Sequence, residues 1–379
     1  MRKDLPVLIV GGGMGGMACA IALHRAGVTT EIVEIDPSWN ALGAGLTLNG
    51  GALRAFAQLG LLDAVRQAGF ASVGPARTCD ADGTVLAEGS TAPLFGEDIP
   101  NMGGILRPRL HEVMRDAVRD AGIRVRTGVT VEALAEIGEE AGDHVIVTTS
   151  DGVQAPHRFV IGADGLFSRV RGMIFPGSPR PKFTGQGCWR AVVSRPADVT
   201  ATWVYSGQGA KAGFNPISDD LMYVYLLETA LGNPWMPQEQ WLAILRAKLG
   251  QFGGHFAGIV AELDDHALIN YRPLEVVLQP PPWHKGHVLL VGDAAHATTP
   301  HVGYGAGMAI EDAVVLGEMI GRFEDSEVLF SAFTERRYER CRTILEGSVA
   351  IGELEMALAP IAEQRELSAK LGAVIRQAI

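Results

Sequence analysis

Three stretches carry residues whose types and spacing suit one kind of chemistry. Gly11, Gly13 and Gly16 form G-x-G-x-x-G, with Glu34 further on. Asp164-Gly165 and Gly292-Asp293 each follow an apolar run, and Gly303, Gly305 and Gly307 come after the second. In the first stretch Gly11 permits a tight turn, Gly13 lets a pyrophosphate reach the backbone, and Gly16 lets helix and strand pack closely. The helix that opens there offers free N–H groups and a partial positive charge to phosphates. Glu34 is placed to accept hydrogen bonds from a ribose.

The elements that must hold these residues follow from the apolar pattern. Val7 to Val10 reads as a buried parallel strand, Met17 to Ala26 as a helix closed by Gly27, and Thr30 to Val33 as a second strand. That is the βαβ order of a dinucleotide site. Arg158 to Ala163 and Val288 to Val291 read as further buried strands, ending at Asp164 and Gly292. Ligands of open α/β sheets bind beyond the carboxyl ends of the strands, so three such ends imply one long ligand crossing all three. A single G-x-G-x-x-G implies one dinucleotide domain.

The rest of the chain is built onto this frame. Pro37 to Leu48, with Gly43-Ala44-Gly45, reads as a loop: a close approach to a ligand or a plain turn. Ala52 to Ala68 has helical spacing, Ala76 to Ala87 reads as a hairpin turning at Asp82-Gly83, and Thr91 to Gly104 is irregular. A helix is expected from Arg107 to Ala121, strands at 124–127, 129–134 and 145–149, and a short helix from Ser168 to Met173. Phe183 to Leu227 reads as antiparallel sheet, Pro237 to Leu249 as a helix, and Pro280-Pro281-Pro282 as a rigid linker. Helices follow at 308–323, 331–352 and 361–379, the last two packed on the outside. The expected fold is α/β, with a Rossmann-like domain, a mixed or antiparallel-sheet domain and C-terminal helices. The expected division is 1–75, 103–176 and 283–345 for the first, 76–102 and 177–282 for the second, and 346–379 for the helical end.

Composition narrows the function. A chain of 379 residues, 47% hydrophobic and 20% charged, suits a soluble protein with a large core and two domains. A net charge of −11 argues against general nucleic-acid or anionic-membrane binding. The cysteines, at 19, 79, 188 and 341, are too scattered for a disulfide framework or a zinc site, so no metal and a reducing cytoplasm are expected. No signal peptide is read before the first strand, and no apolar run nears the ~20 residues of a membrane span.

Taken together, the motifs resemble those of the single-component FAD-dependent aromatic hydroxylases, similar to p-hydroxybenzoate, salicylate and urate hydroxylases. Gly162 to Arg171, GADGLFSRVR, resembles that family's DG motif. Gly292-Asp293-Ala294-Ala295-His296, with Pro300, Gly303, Gly305, Gly307 and Glu311-Asp312, resembles its GD motif. Gly45 and Arg107 also match. The resemblance implies bound FAD, NADH or NADPH as co-substrate, O2, and hydroxylation of a small hydroxylated aromatic or N-heteroaromatic ring through a flavin C4a-hydroperoxide. It implies that Glu34 binds the adenosine ribose, that Arg107 sits near the FAD pyrophosphate or ribose, and that Asp293 binds the ribityl chain. Asp164 would serve both FAD and NAD(P)H by holding backbone, Gly303 to Gly307 would face the flavin pyrimidine edge, and Pro300 would pack near its reacting edge. His296 would be structural. His301, one residue past Pro300 at a position that varies in the family, reads as a substrate contact or a plain loop histidine. Lys211 and Tyr223 resemble an arginine–tyrosine pair of urate hydroxylases, with lysine replacing arginine, a departure that argues against urate itself. Lys211 as a solvated loop residue among Gly207, Gly209 and Gly213, and Arg190 as a solvated sheet residue, stay open. A halogenase or prenyl-lipid reductase on the same scaffold, or a non-catalytic dinucleotide sensor, is the alternative; the halogenases' W-x-W-x-I-P is absent. A monomer or homodimer without nucleic-acid or integral membrane partners is expected.

Overall fold

The computed structural model describes residues 2–41, 43–137, 144–207 and 209–379; Leu42, inside the glycine loop, lies outside them. Its centre is a six-stranded sheet ordered His284–Lys285, Val288–Leu290, Val160–Gly162, Val7–Val10, Thr30–Glu34, Arg124–Thr127. All neighbours in it run parallel except the antiparallel edge strand His284–Lys285. Its three middle strands are buried at every residue, as the unbroken apolar runs require of a sheet covered on both faces. Helices Met14–Arg25 and Gly305–Met319 pack together on it. A Cβ on Gly15 would lie 3.4 Å from Ala309, and one on Gly317 would lie 3.1 Å from Ala22. The two helices therefore run in the same direction, with their N-termini at one end.

The second sheet has seven strands, ordered Asn270–Leu278, Lys182–Ser194, Leu221–Thr229, Ala210–Pro216, Trp203–Ser206, Ala76–Asp80, Val85–Gly89. Side chains alternate across a strand, so its two faces differ. One face carries Trp189, Ala191, Phe214, Met222, Val224 and Leu226, which pack on Leu245, Leu249, Phe256 and Ile259 of helices Trp241–Leu249 and Phe256–Glu262. Burying each large apolar side chain of this kind contributes about 1.5–3 kcal/mol. The other face carries Arg190, Lys211, Asn215, Tyr223 and Tyr225 and turns away from that core.

Several elements depart from expectation. The helix expected over 52–68 is two, Gly50–Gln58 and Leu62–Ala68, parted at Gly60, whose φ of 74° does not fit a right-handed helix. Gly45–Asn49 and Met102–Leu106 are strands of a third sheet, not loop. Strands Ala210–Pro216 and Asn270–Leu278 and helix Phe256–Glu262 add to the expected set. The helix expected at 331–352 runs from Ser326 to Met356, capped by Asp325 on the Val328 N–H at 2.9 Å. It does not lie wholly outside: Arg337, Cys341, Ser348 and Gly352 on it are buried.

Candidate active site

The three motif-bearing strand ends lie side by side. In register, Val10 pairs with Gly162, and Gly162 with Leu290, so the three turns leave the sheet as neighbours. Gly11 has φ of 107°, and a Cβ there would lie 2.5 Å from the Ala163 carbonyl oxygen; glycine is needed against the neighbouring turn as well as within its own. A Cβ on Gly16 would strike the Gly11 carbonyl, which is the close helix–strand packing read from the sequence. Gly13 faces open space, with nothing within 4 Å of a Cβ. It is also the N-cap of helix Met14–Arg25, which no side chain caps. Helix Gly305–Met319 is likewise uncapped. Two helix N-termini with spare N–H groups thus share one end of the sheet, which suits anionic or electron-rich groups.

The acidic residues divide into occupied and open. Glu34 accepts from the Gly12 N–H at 2.6 Å and the Asp36 N–H at 2.8 Å, which fixes it beside the first turn. Asp164 accepts from Ser168 Oγ at 2.5 Å and from the N–H groups of Arg169 and Val170 at 2.7 and 3.1 Å. Its carboxylate holds the turn into helix Arg169–Ile174. Arg171 in that helix donates to the Ala294 and Leu166 carbonyls at 2.8 and 2.9 Å, tying the DG turn to the GD turn. The Asp293 side chain makes no hydrogen bond or ion pair among the described residues, and the residue is exposed. Surrounding protein raises its carboxyl, while His296 and Arg107 act to lower it. An unpartnered carboxylate beside two open helix N-termini fits the hydroxyl-rich middle of a long dinucleotide. Arg107 approaches the same turn: burial lowers its guanidinium, and Asp293 is the neighbour that opposes this.

His296 is tied into the core. Its Nε2 lies 2.7 Å from Asp312, which also accepts from the Gly292 N–H at 2.8 Å and from Arg337 Nε at 2.7 Å. Burial opposes its charge, but Cys341 and Asp312 raise the imidazole well above its ordinary value. His296, Asp312 and Cys341 could geometrically hold a metal ion. The Arg337 guanidinium already pairs with Asp312 there, so the cluster is an ion-pair network.

The polar face of the second sheet meets this end at strand Gly45–Asn49 and at the turn Pro300–Val302. Tyr223 contacts Thr47 Oγ1 at 2.6 Å, and Asn215 Nδ2 donates to both, at 2.6 Å to Thr47 and 3.0 Å to Tyr223. The two hydroxyls carry two hydrogens and need one between them, so one remains for a ligand. Burial pushes the Tyr223 hydroxyl up, so it stays protonated. The Tyr223 ring fills the place a Gly45 side chain would take, so Gly45 serves this packing. Lys211 pairs with Glu355, and His301 Nε2 lies 3.3 Å from the same carboxylate. The His301 side chain is fully covered, turned towards Gly352 and away from solvent. Lys211 and Tyr223 do not meet: Tyr223 is opposite Asn215, four residues along from Lys211, roughly 13 Å at ~3.3 Å per residue, and Tyr225 lies between them in register. The 3-10 turn Pro300–Val302 and Gly303 span both ends, with His301 against Glu355 and Gly303 3.8 Å from Thr47 as a Cβ would measure it. Glu355 was not among the residues singled out from sequence, since nothing local to it marks a site.

The three adjoining strand ends and the two open helix N-termini suit a long dinucleotide, and comparison supplies the family. Residues 4–348 match the family model FAD_binding_3, described as FAD binding domain, and the chain belongs to that family. It is a flavin-dependent aromatic-ring monooxygenase with FAD as its cofactor. It is 31% identical over 353 residues to 2-heptyl-3-hydroxy-4(1H)-quinolone synthase of Pseudomonas aeruginosa, covering 92% of this chain and 89% of that one. It is 28% identical over 363 residues to the FAD-dependent urate hydroxylase of Klebsiella oxytoca, covering 90% and 88%. Its fold matches Klebsiella pneumoniae HpxO complexed with FAD and uric acid, with TM-score 0.86 at 22% identity over 99% of this chain and 96% of that one. No helix among the described residues is long and apolar enough to cross a membrane.

Proposed function

We propose that this chain uses NADH or NADPH and O2 to hydroxylate a small hydroxylated aromatic or N-heteroaromatic ring, of the phenol, hydroxypyridine or purine-like kind. The observation that carries the reading is the Pro300–Gly303 turn. It joins the uncapped N-terminus of helix Gly305–Met319 to both ends of the polar sheet face. A ring-bearing ligand reaching that turn would meet Lys211 on one side and Tyr223 on the other. The relatives named for a quinolone and for urate support an N-heteroaromatic substrate, since both rings carry oxygen on a nitrogen-containing ring system. When bound, the flavin supplies reduction by NAD(P)H and oxygen transfer.

The chain's own residues bind, orient and shield. Glu34 and Arg107 anchor the outer part of FAD, and the spare carboxylate of Asp293 takes the ribityl hydroxyls. Gly11, Gly13 and Gly16 let the pyrophosphate lie on the first turn, and Gly292, Gly303, Gly305 and Gly307 let backbone approach the ring. Asp164 acts through the turn it holds. Pro300 and the packed Gly303 turn close one side of the reacting region and help exclude water. Lys211 places a cation near a substrate oxygen and favours its ionised form. The spare hydroxyl hydrogen of the Tyr223–Thr47 pair orients a ring oxygen or nitrogen. We take 1–75, 103–176 and 283–345 as the FAD-binding part and 76–102 with 177–282 as the substrate part; the composition of the seven-stranded sheet supports this. The reading includes a monomer or homodimer in a reducing cytoplasm, which the buried free cysteines suit.

A screen of phenols, hydroxypyridines, quinolones and purines tests the proposal. At least one class should stimulate NAD(P)H oxidation and yield a product heavier by one oxygen. Stimulation with hydrogen peroxide as the sole oxygen product, across every class, would contradict it.

A further inference from the structure

Behind Lys211 lies a buried group of residues short of a proton. Glu355, near the end of helix Ser326–Met356, faces Lys211 through Oε1; through Oε2 it faces Gln186 Nε2 at 3.1 Å and His301 Nε2 at 3.3 Å. The same helix face supplies Ser348 and Gly352. A side chain on Gly352 would lie 3.1 Å from His301 Nε2, so glycine there makes room for the ring.

The hydroxyls beyond His301 fix its tautomer. Ser348 Oγ lies 2.9 Å from the Thr299 carbonyl and 2.8 Å from Thr299 Oγ1, and Thr299 Oγ1 lies 2.8 Å from His301 Nδ1. Each of the three contacts needs one hydrogen. Only Ser348 can donate to the carbonyl, so its hydrogen goes there. The Thr299 hydrogen must then lie towards Ser348, and the third contact must use the ring's own Nδ1–H. His301 therefore presents a bare Nε2 to Glu355. That nitrogen forms no hydrogen bond, and neither does Gln186 Oε1. An acceptor set against a carboxylate inside protein is costly unless a proton comes to it.

We propose that His301 Nε2, held against Glu355, accepts the proton that a hydroxylated ring gives up on this sheet face, with Lys211 as the relay. This rests on the reading above that Lys211 faces the substrate. A Lys211 N–H breaks as an O–H forms on Glu355, and the substrate O–H breaks as Lys211 regains its N–H. A half-turn of the Glu355 carboxyl brings its proton to His301 Nε2. The products are a ring anion beside the Lys211 ammonium and an imidazolium beside the Glu355 carboxylate; both pairs are neutral, and no proton reaches solvent. The groups facing this set agree. Burial pulls the His301 imidazole below its ordinary value, so the ring starts neutral. Burial acts to raise the Glu355 carboxyl, but Lys211 and His301 bring it to about 2, so it starts as carboxylate. Tyr225, from strand Leu221–Thr229, is pushed up by burial and stays neutral. Gln186, from strand Lys182–Ser194, carries no charge.

The test uses flavin-loaded protein and 4-nitrophenol, whose phenolate absorbs visibly, in weak buffer acidic enough to keep most free probe neutral. Wild type should bind the probe as phenolate with no proton released to the buffer. Glu355→Gln and Thr299→Val should each raise the pH at which bound probe ionises by ~1 unit or more, about tenfold less phenolate at the same pH. The phenolate that still forms should release one proton per site. Thr299→Val lies behind the ring and leaves Lys211 untouched, so it decides the matter even if Glu355→Gln does not fold. Wild-type ionisation and proton count in Thr299→Val would overturn the relay alone. Wild type that does not bind the probe, or binds it uncharged, would overturn the substrate reading and the relay with it.

Discussion

Helix Ser326–Met356 carries two buried polar clusters that differ in how fully their atoms are paired. At its middle, Arg337 donates to Asp312, Glu311 and the Met308 carbonyl, at 2.7, 2.9 and 3.2 Å. Arg340 adds two bonds to Glu311, at 2.9 and 2.7 Å. Both carboxylates there use both oxygens, and the bonds from Gly292 and His296 to Asp312 lock the GD turn. Near its end, Glu355 meets Lys211 and His301 with acceptors left over. A network whose carboxylate oxygens are all taken holds a backbone in one place, and here only His296 Nδ1 is left without a hydrogen-bond partner. One with acceptors left over on the polar sheet face can still change partners or protonation. On the function proposed above, the same helix would anchor the cofactor turn with one cluster and serve the substrate face with the other.

Breaking the Arg337 cluster should have the largest effect. Arg337→Met leaves Asp312 and Glu311 buried without their main partner, a change that typically costs about 3–5 kcal/mol. Urea denaturation should show that loss, and the GD turn should release FAD along with it. Retention of wild-type stability would mean the network is not what holds the turn. Next, Asp293→Ala should strip FAD from a protein whose unfolding midpoint, measured without flavin, is unchanged. Unaltered flavin content would remove Asp293 as the ribityl anchor.

Smaller effects separate the clusters further. Asp164→Ala should slow flavin reduction by NAD(P)H more than it slows reaction of reduced enzyme with oxygen; rapid mixing of the two half-reactions decides, and equal losses would leave Asp164 a turn-holder only. Lys211→Met and Tyr223→Phe should lower product per NAD(P)H severalfold and raise hydrogen peroxide release, with flavin content intact. The register separates these two residues, so their effects should be close to additive in the double variant. The smallest effect concerns acid. Asp312 and Glu355 both sit at about 2, burial acting upward and charged neighbours prevailing. Folded carboxyls below their unfolded values of about 4 stabilise above that range, and the contribution is lost as pH falls towards about 2. Glu355→Gln should flatten the loss of stability over that window, and an unchanged profile would mean the pair adds nothing there.

What the sequence disclosed was what is local. Gly11, Gly13, Gly16, Asp164 and Asp293 lie at strand ends within a few residues of the turns they shape, so type and spacing carry their meaning. The polar sheet face was legible only in part. Gly207, Gly209 and Gly213 read as loop, yet strand Ala210–Pro216 runs through there, and Gly213 is small because the Tyr225 ring lies over it. Gly45 likewise reads as a ligand loop but lies beneath Tyr223. Glu355 was illegible for a further reason: it lies 144 positions from Lys211, and only the length and direction of its helix bring them together. The unbroken run of that helix through residue 345 is also why a boundary drawn there has no counterpart in secondary structure.

The central claim is oxygen transfer from O2 to a ring held on this polar face. Turnover of the best substrate from the screen under isotopically labelled dioxygen, with product analysed by mass, tests it most directly. One labelled oxygen per product molecule in wild type, with a falling product yield and rising labelled peroxide in Lys211→Met, is the result expected. Product oxygen drawn from water, or label found in peroxide alone, would contradict it.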